Sequence, residues 1–456
     1  MSWRAYHEAT KHTPERLRRA NYTLDWANMP NPYRHYEGVP VLDLAADPAA
    51  PEISAYDVLR GRMGTGFVGR LSALLFYSAS ISATKVAPNG GTYALRVNPS
   101  SGNLHPTEFH FATRGMAGWP DGLYHYRPSQ HMAEQRGRGD YEFDSPLVFV
   151  LTTIAWREAW KYRERAYRYC LLDMGHAWQA LELAARALGC TCEATGAFDD
   201  AALAARLGLA EDEWPLLVVT VRGMEEQAGC AGPMELLRGT PNELSPDANV
   251  PAMIADVHAA TRAGQGSWRR VWPVSDLPAV GGRAFGETVR GRRSALDFVG
   301  GARAMPMETL LALLAVARVG PLTMYLYVHR VAGLAAGLYR FTGELELIRA
   351  GDQRVAAAGL SLGQDLAGNC CVAISIVAEL EGAQSEFGER GYRYAHIEAG
   401  ALGQRLYIAA EALGLRATGI GAFFDDRVHA YLELETGQVV YHFAIGYPVA
   451  DPRLEY

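Results

Sequence analysis

The sequence predicts an α+β chain in which one folding unit is used twice, and three observations carry that reading. The stretch "ERAYRYCLLDMGHAWQALELAARALGCTCEATGAF" at 164–198 aligns without a gap with "ERGYRYAHIEAGALGQRLYIAAEALGLRATGIGAF" at 389–423, at a constant offset of 225. About sixteen of the thirty-five positions are identical. Leu181, Ala184, Ala185 and Leu188 recur at the spacing of a buried helix face, as do Leu406, Ala409, Ala410 and Leu413 in the second copy. Short β-rich runs flank both copies in the same order. Self-similarity of this length marks a duplicated structural unit.

The elements follow in order. "DGLYHY" at 121–126 corresponds to "AGLYRF" at 336–341, each a short strand. "PLVFVLTTIAW" at 146–156 and "CCVAISIVAEL" at 370–380 precede the two helices, and "PLLVVTVRG" at 215–223 and "VVYHFAIGYP" at 439–448 follow them. Gly189 and Gly414 end the helices and suit a left-handed cap. The pattern divides the chain into an N-terminal arm (1–50), a first unit (51–223), a linker (224–289) and a second unit (290–456). "MPNPYRHYEGVP" gives the arm enough aromatic residues to lie over the body. "PAMIADVHAATRA" inside the Pro-, Gly- and Asn-rich linker reads as a helix, and a connection this long wraps a surface or serves a function.

Composition narrows the function classes. A chain of 456 residues can bury two or three cores, and 49% hydrophobic with 20% charged residues is ordinary for a globular protein. A net charge of −7 without a basic block argues against nucleic acid as partner. No apolar run reaches the length of a membrane span, and "MSWRAYHEATKHTPERLRRANY" lacks the apolar core of a secretory signal, so the expected location is cytoplasmic. Neither Cys190-x-Cys192 nor Cys370-Cys371 has the spacing of a zinc site, so the six cysteines read as buried thiols. The thirteen histidines form no metal spacing such as H-E-x-x-H, and no G-x-S-x-G occurs. "GTGFVG" at 64–69 matches G-x-G-x-x-G, but no buried strand precedes it and no acidic residue follows about twenty positions on; it reads as a turn.

Four stretches carry chemistry. "RVNPSSGNLHPTE" at 96–108 sets two small hydroxyls, an amide and a glycine between residues that read as strand, a loop able to hold something against its backbone. "RGRRSALDF" at 290–298 clusters arginines with a serine, as a phosphate requires. "ATGIGAFFDD" at 417–426 lets the backbone pass close to a flat ligand; the first copy reads "EATGAFDD", with Ala194 where Gly419 stands. "WREAWKYRERAYRY" at 156–169 places Lys161 and Tyr162 where the second copy has Glu386 and Phe387, a divergence in charge that a purely structural pair has less reason to show.

Together, "RRSALDF", "LYIAAEALGL", "TGIGAF" and "AIGYPVADPR" resemble the FMN-binding nitroreductase superfamily over most of 290–456. From about 71 to 223, "RVNPSSGNLHPTEFHF", "GLYHY", "WKYRERAYRY" and "DMGHAWQALELAARALG" resemble one branch of it, the azoline dehydrogenases of the streptolysin S and cyanobactin-oxidase type. The resemblance implies two tandem nitroreductase-like domains forming an intramolecular pseudo-dimer, with FMN at their interface. It implies that Arg292, Arg293, Ser294 and Arg453 hold the phosphate and that Gly419, Ile420 and Gly421 face the isoalloxazine. Arg96, Pro99, Ser100, Ser101 and Asn103 would complete the pocket from the first copy.

The reciprocal site reads as dismantled. The second copy has no room for a Pro-Ser-Ser-Gly-Asn loop, and the first has "LRGRMGTGF" where Arg-Arg-Ser belongs. A single FMN per chain is therefore expected. The branch implies that Lys161 and Tyr162 are catalytic, Lys161 as base and Tyr162 as its orienter, with a small-molecule or peptide substrate. The alternatives are an NAD(P)H-dependent reductase of nitro, quinone or enone compounds and a non-catalytic flavin- or peptide-binding relative. The protein acts as a monomeric pseudo-dimer or as a homodimer.

Overall fold

The computed structural model describes residues 1–20, 23–66, 69–87, 90–227, 232–271, 280–317 and 321–455. Each repeat builds an antiparallel sheet. In the first, the strands lie in the order Met132–Arg138, Gly122–Arg127, Thr107–Thr113, Leu147–Ile154, Glu213–Arg222, Thr191–Thr195. In the second the order is Leu345–Ala350, Gly337–Phe341, Leu322–Val328, Val372–Ala378, Gln438–Gly446, Arg416–Ile420. The two orders correspond strand for strand, as the duplicated sequence predicts. Leu147–Ile154 and Val372–Ala378 are buried at every position, which suits their nearly unbroken apolar runs.

The two long helices, Ala166–Ala187 and Gly391–Ala412, are buried along their whole length and pack on one another. They cross at glycines. A Cβ on Gly175 would overlap the carbonyl of Ile397, and one on Gly400 would overlap the carbonyl of Leu172. Each pair is the other shifted by 225, so a pseudo-twofold axis runs through the crossing. Gly189 (φ 78°) and Gly414 (φ 77°) are left-handed just beyond the two helix ends, as expected.

Buried ion pairs repeat the same symmetry. Arg165 and Arg168 share Asp425 at 2.9 and 2.8 Å. Arg390 pairs with Asp200, and Arg393 reaches the same carboxylate at 2.8 Å. Each pairing joins the helix of one repeat to the short helix after the glycine turn of the other, so it fastens the repeats together.

The arm lies over the body and the linker contains the expected helix; these two segments prove to be equivalent. The arm helix Trp3–Ala9 and the linker helix Ala252–Ala260 each carry a buried histidine followed three positions later by a buried threonine. Arg168 Nε donates to Thr10 Oγ1 at 3.0 Å, and Arg393 Nε donates to Thr261 Oγ1 at 2.9 Å. Tyr392 OH lies 3.4 Å from His7 Nδ1, and Tyr167 OH lies 3.2 Å from His258 Nδ1.

The repeats differ in one place above all. The first inserts a hairpin, Ile81–Val86 with Thr92–Arg96, and the Pro-Ser-Ser loop before its sheet. The second passes from helix Met307–Val316 to strand Leu322–Val328. The C-terminal strand Leu454–Glu455 pairs with the hairpin, Leu454 opposite Lys85, so the end of one repeat closes on the insertion of the other. Cys170, Cys190, Cys192, Cys370 and Cys371 are free and buried; Cys230 lies outside the described residues. Of the "GTGFVG" turn, Gly66 and Gly69 are left-handed, while residues 67 and 68 lie outside the described residues. Among the described residues no helix is long and apolar enough to cross a membrane.

Candidate active site

A cavity of about 1090 Å³ lies where the repeats meet. That is at the upper end of the roughly 300–1,000 Å³ usual for small-molecule sites. The first repeat contributes the hairpin, the Pro-Ser-Ser loop, Tyr162 and the helix residues Tyr169, Asp173 and His176. The second contributes Arg292, Arg293, Ser294, Tyr407, Gly419, Ile420 and Gly421. Trp26, Met29 and Tyr33 of the arm form a roof, with Trp26 68% exposed at the mouth.

The loop's polar side chains brace the loop itself. Ser100 Oγ donates to Asp173 Oδ2 at 2.6 Å; the Ser101 N–H donates to Oδ2 at 2.9 Å and its hydroxyl to Oδ1 at 2.9 Å. Asn103 Nδ2 donates to the Ala94 carbonyl at 2.9 Å. Gly102 and Asn103 sit in left-handed backbone, φ 60° and 61°. Asp173 therefore anchors the loop to the long helix. Burial pushes its carboxyl up to about 6, against the opposing pull of the serine donors. Glu158 lies fully buried behind it; burial, and next the charge of Asp173, drive its carboxyl well above the usual range.

The arginine cluster faces the loop across the repeat boundary. Arg292 is buried and ties the repeats together, Nε donating to the Val97 carbonyl at 2.8 Å and Nη2 to that of Arg96 at 3.1 Å. Among the described residues its Nη1 has no hydrogen-bond partner, and neither do Arg96 Nε and His105 Nδ1, two further buried atoms of cavity-lining residues. Orphaned buried donors of this kind require a ligand or water. Arg96, Arg292 and Arg293 line the cavity beside Asp173, the one lining carboxyl among the described residues, so an anion is favoured there; Lys85, also in the lining, is paired with Asp451 at 2.6 Å.

The glycine turn is shaped by tyrosines. A Cβ on Gly419 would overlap the Tyr441 hydroxyl, and one on Gly421 would overlap the Tyr169 ring. The Gly419 N–H donates to Tyr407 OH at 2.8 Å, and that hydroxyl is also 2.8 Å from Ser294 Oγ. His176 Nε2 meets Tyr441 OH at 3.0 Å, and burial lowers its imidazole to about 3, so it is neutral at ordinary pH.

Tyr162 lines the cavity, and Lys161 lies beside it at the loop. Both heads converge over Gly102: a Cβ there would stand 2.8 Å from Tyr162 OH and 3.1 Å from Lys161 Nζ. Of the residues singled out in the sequence, Arg96, Pro99, Ser100, Ser101, Asn103, Tyr162, Arg292, Arg293, Ser294, Gly419, Ile420 and Gly421 all line one cavity. Lys161 and Arg453 do not: Lys161 reaches the lining only through its contact with Gly102, and Asp451 holds the Arg453 guanidinium at 2.8 and 3.0 Å. Sequence reasoning missed Asp173, Tyr407, Tyr441, His176, Gly102 and the arm's roof. Asp173 alone left a signal, an acid inside the long repeat helix with an acid, Glu398, at the aligned position. Among the described residues no cluster of His, Cys, Asp or Glu could hold a metal ion.

Comparison with known proteins follows the same division. The model of the nitroreductase family matches residues 92–223 and 290–447, well over half of the chain. A Methanocaldococcus jannaschii protein that carries the nitroreductase name is 31% identical over 118 residues, 25% of this chain and 60% of that protein's length. A crystal structure from Anabaena variabilis, also named as a nitroreductase, covers 98% of this chain and 99% of its own, at 26% identity and a TM-score of 0.76.

Proposed function

The chain belongs to the nitroreductase family, and from that premise we propose that it is an FMN-dependent oxidoreductase holding one FMN between its repeats. The observation that carries this reading is the Nη1 of buried Arg292, unpartnered among the described residues, in a cavity where Arg96, Arg292 and Arg293 meet one lining carboxyl. Arg292, Arg293 and Ser294 hold the phosphate. Asp451 holds both Arg453 and, at 2.6 Å, Lys85, so neither is assigned to the phosphate. Gly419, Ile420 and Gly421 form a flat backbone wall for the ring system, with Tyr407 bracing it through the Gly419 N–H. The loop from Arg96 to Asn103 closes the pocket from the first repeat, held by Asp173.

FMN, when bound, supplies a two-electron acceptor for a hydride. The chain's residues then have one remaining task, to move a proton. A thiazoline or oxazoline becomes aromatic by losing a hydride from one ring atom and a proton from its neighbour. Tyr162, in the cavity wall, and Lys161, converging with it over Gly102, take that proton. The substrate class we propose is an azoline ring within a peptide or a small molecule, entering under the roof of Trp26 and Met29.

Absorbance after heat release should give one flavin per chain; none or two overturns the reading. With an azoline-containing peptide, Lys161→Ala should lower turnover about 100-fold with flavin retained. Unchanged turnover removes Lys161 from the mechanism. Rapid anaerobic flavin reduction by NADPH, with no azoline oxidation, replaces the dehydrogenase by an NAD(P)H-dependent reductase.

A further inference from the structure

The pseudo-twofold axis generates a second position equivalent to the cavity, and a linker residue stands in it. Tyr169, Asp173, Gly419, Ile420 and Gly421 of the cavity correspond to Tyr394, Glu398, Ala194, Thr195 and Gly196. The local geometry is kept: a Cβ on Gly196 would overlap the Tyr394 ring, as one on Gly421 would overlap Tyr169.

Trp268 fills this place. It is 0% exposed, and its indole stacks on Tyr394 with centroids 4.7 Å apart and planes 11° from parallel. Its Nε1 donates to Glu398 Oε1 at 3.0 Å, and its carbonyl accepts from Thr195 Oγ1 at 3.1 Å. The next two residues, Arg269 and Arg270, add a strand to the edge of Thr191–Thr195, with Arg269 opposite Thr195 and Arg270 opposite Ala194. Trp178, which replaces Gly403 of the live side, closes the pocket further, its ring 5.6 Å from that of Trp268.

We infer that Trp268 is a built-in ligand of the vestigial second site, its indole occupying the space of a planar heteroaromatic ring. The inference rests on the assignment of the cavity to FMN only for naming what the ring replaces. The route of the chain explains how the plug arose. Trp26 of the arm follows Thr10 by sixteen positions and lines the cavity, whereas Trp268 of the linker follows Thr261 by seven and stands on Tyr394 in the second position. Phosphate binding is lost on the same side. Aligning Arg60-Gly61-Arg62 with Arg290-Gly291-Arg292, outside the 225-residue block, puts Arg62, Met63 and Gly64 at the positions of Arg292, Arg293 and Ser294, and Arg62 is exposed.

Removing the indole should leave a lined, planar cavity that takes indole from solution. Trp268→Gly is expected to lower Tm by about 5 °C or more, and millimolar indole to restore part of the loss, while wild type does not respond. A folded Trp268→Gly with unchanged Tm, or one indifferent to indole, overturns the inference. If this variant does not fold, Trp268→Phe decides. It keeps the stacking and loses the bond to Glu398, so it should melt lower than wild type and ignore indole; wild-type behaviour overturns the inference. Flavin content separates the two readings. Two flavins per wild-type chain refute the plug, whereas none refutes the cofactor assignment and leaves the indole response to be judged alone.

Discussion

The two ends of the pseudo-twofold axis share a scaffold and differ in chemistry. Both have the glycine crossing, the Arg-Arg-Asp clasp, the His-x-x-Thr helix and the glycine overlapped by a tyrosine ring. Among the described residues only one has the hairpin, the Pro-Ser-Ser loop and the buried Arg292 with an unpartnered donor. Residues that join the repeats were kept on both sides because each fastens the whole chain. Residues that bind a ligand could diverge on one side once the other sufficed. Substituting equivalent positions in parallel separates the two classes.

The largest effect is expected at the clasp, where the two sides should behave alike. Asp425→Asn and Asp200→Asn each strip a carboxylate from two buried guanidiniums, which costs about 3–5 kcal/mol when one partner of a buried pair is removed. Chemical denaturation should report similar losses for both, and a loss on one side only breaks the symmetry argument. Burial alone would raise the Asp425 carboxyl, but Arg165 and Arg168 outweigh it and hold the group well below the usual range. A depressed carboxyl stabilises the fold at pH above its unfolded value of about 4 and loses that contribution on acidification. Asp425→Asn should therefore cost most stability near neutral pH, with the gap to wild type narrowing as pH falls below about 4.

Next comes the pair where the two sides should part. Arg292→Ala is expected to weaken FMN binding about 100-fold, the value of a lost charge-assisted fork of roughly 2–3 kcal/mol. Arg62→Ala, at the equivalent exposed position, should leave flavin content and affinity unchanged. Calorimetric titration of the flavin-free protein reads both. Equal losses would mean that the second side still binds.

How much of this was legible depends on the range of the interaction concerned. The long helices, the strands that flank them in both repeats and the loop could be read because periodicity and the 225-residue offset are local or repeated signals. The equivalence of arm and linker rests on "HEAT" at 7–10 and "HAAT" at 258–261, four residues lying outside the aligned block. It becomes visible only when Arg168 and Arg393 are seen to hold both threonines. Trp268 had no signal at all, since its partners Tyr394 and Glu398 are more than a hundred residues away. Arg453 shows the converse. The motif "AIGYPVADPR" pointed to it, yet the aspartate two residues before it claims the guanidinium.

A smaller effect sharpens the comparison at the glycine turn. Gly421→Ala and Gly196→Ala each force a methyl into a tyrosine ring, and overpacking of this kind costs about 1–3 kcal/mol. Thermal melts should shift comparably. Turnover and the flavin absorption spectrum should change only for Gly421→Ala, because Tyr169 lines the cavity whereas Tyr394 faces the indole of Trp268.

The smallest effect is expected at Asp173, which faces Glu398 across the axis in sequence but not in role. Glu398 accepts from Trp268 and Arg270, whereas Asp173 accepts from Ser100 and Ser101 and holds the loop. Its carboxyl stands at about 6, above the roughly 3.9 of an exposed aspartate, so the folded chain binds that proton more tightly than the unfolded one. The contribution to stability is full below pH 4 and lost as pH rises through about 6. Asp173→Asn keeps an acceptor for one serine and cannot titrate. It should flatten the change in Tm between pH 4 and 6 by a few degrees, and shift flavin affinity less than Arg292→Ala. A wild-type pH profile in Asp173→Asn would assign that titration to another group, with the buried Glu158 behind it the first to examine.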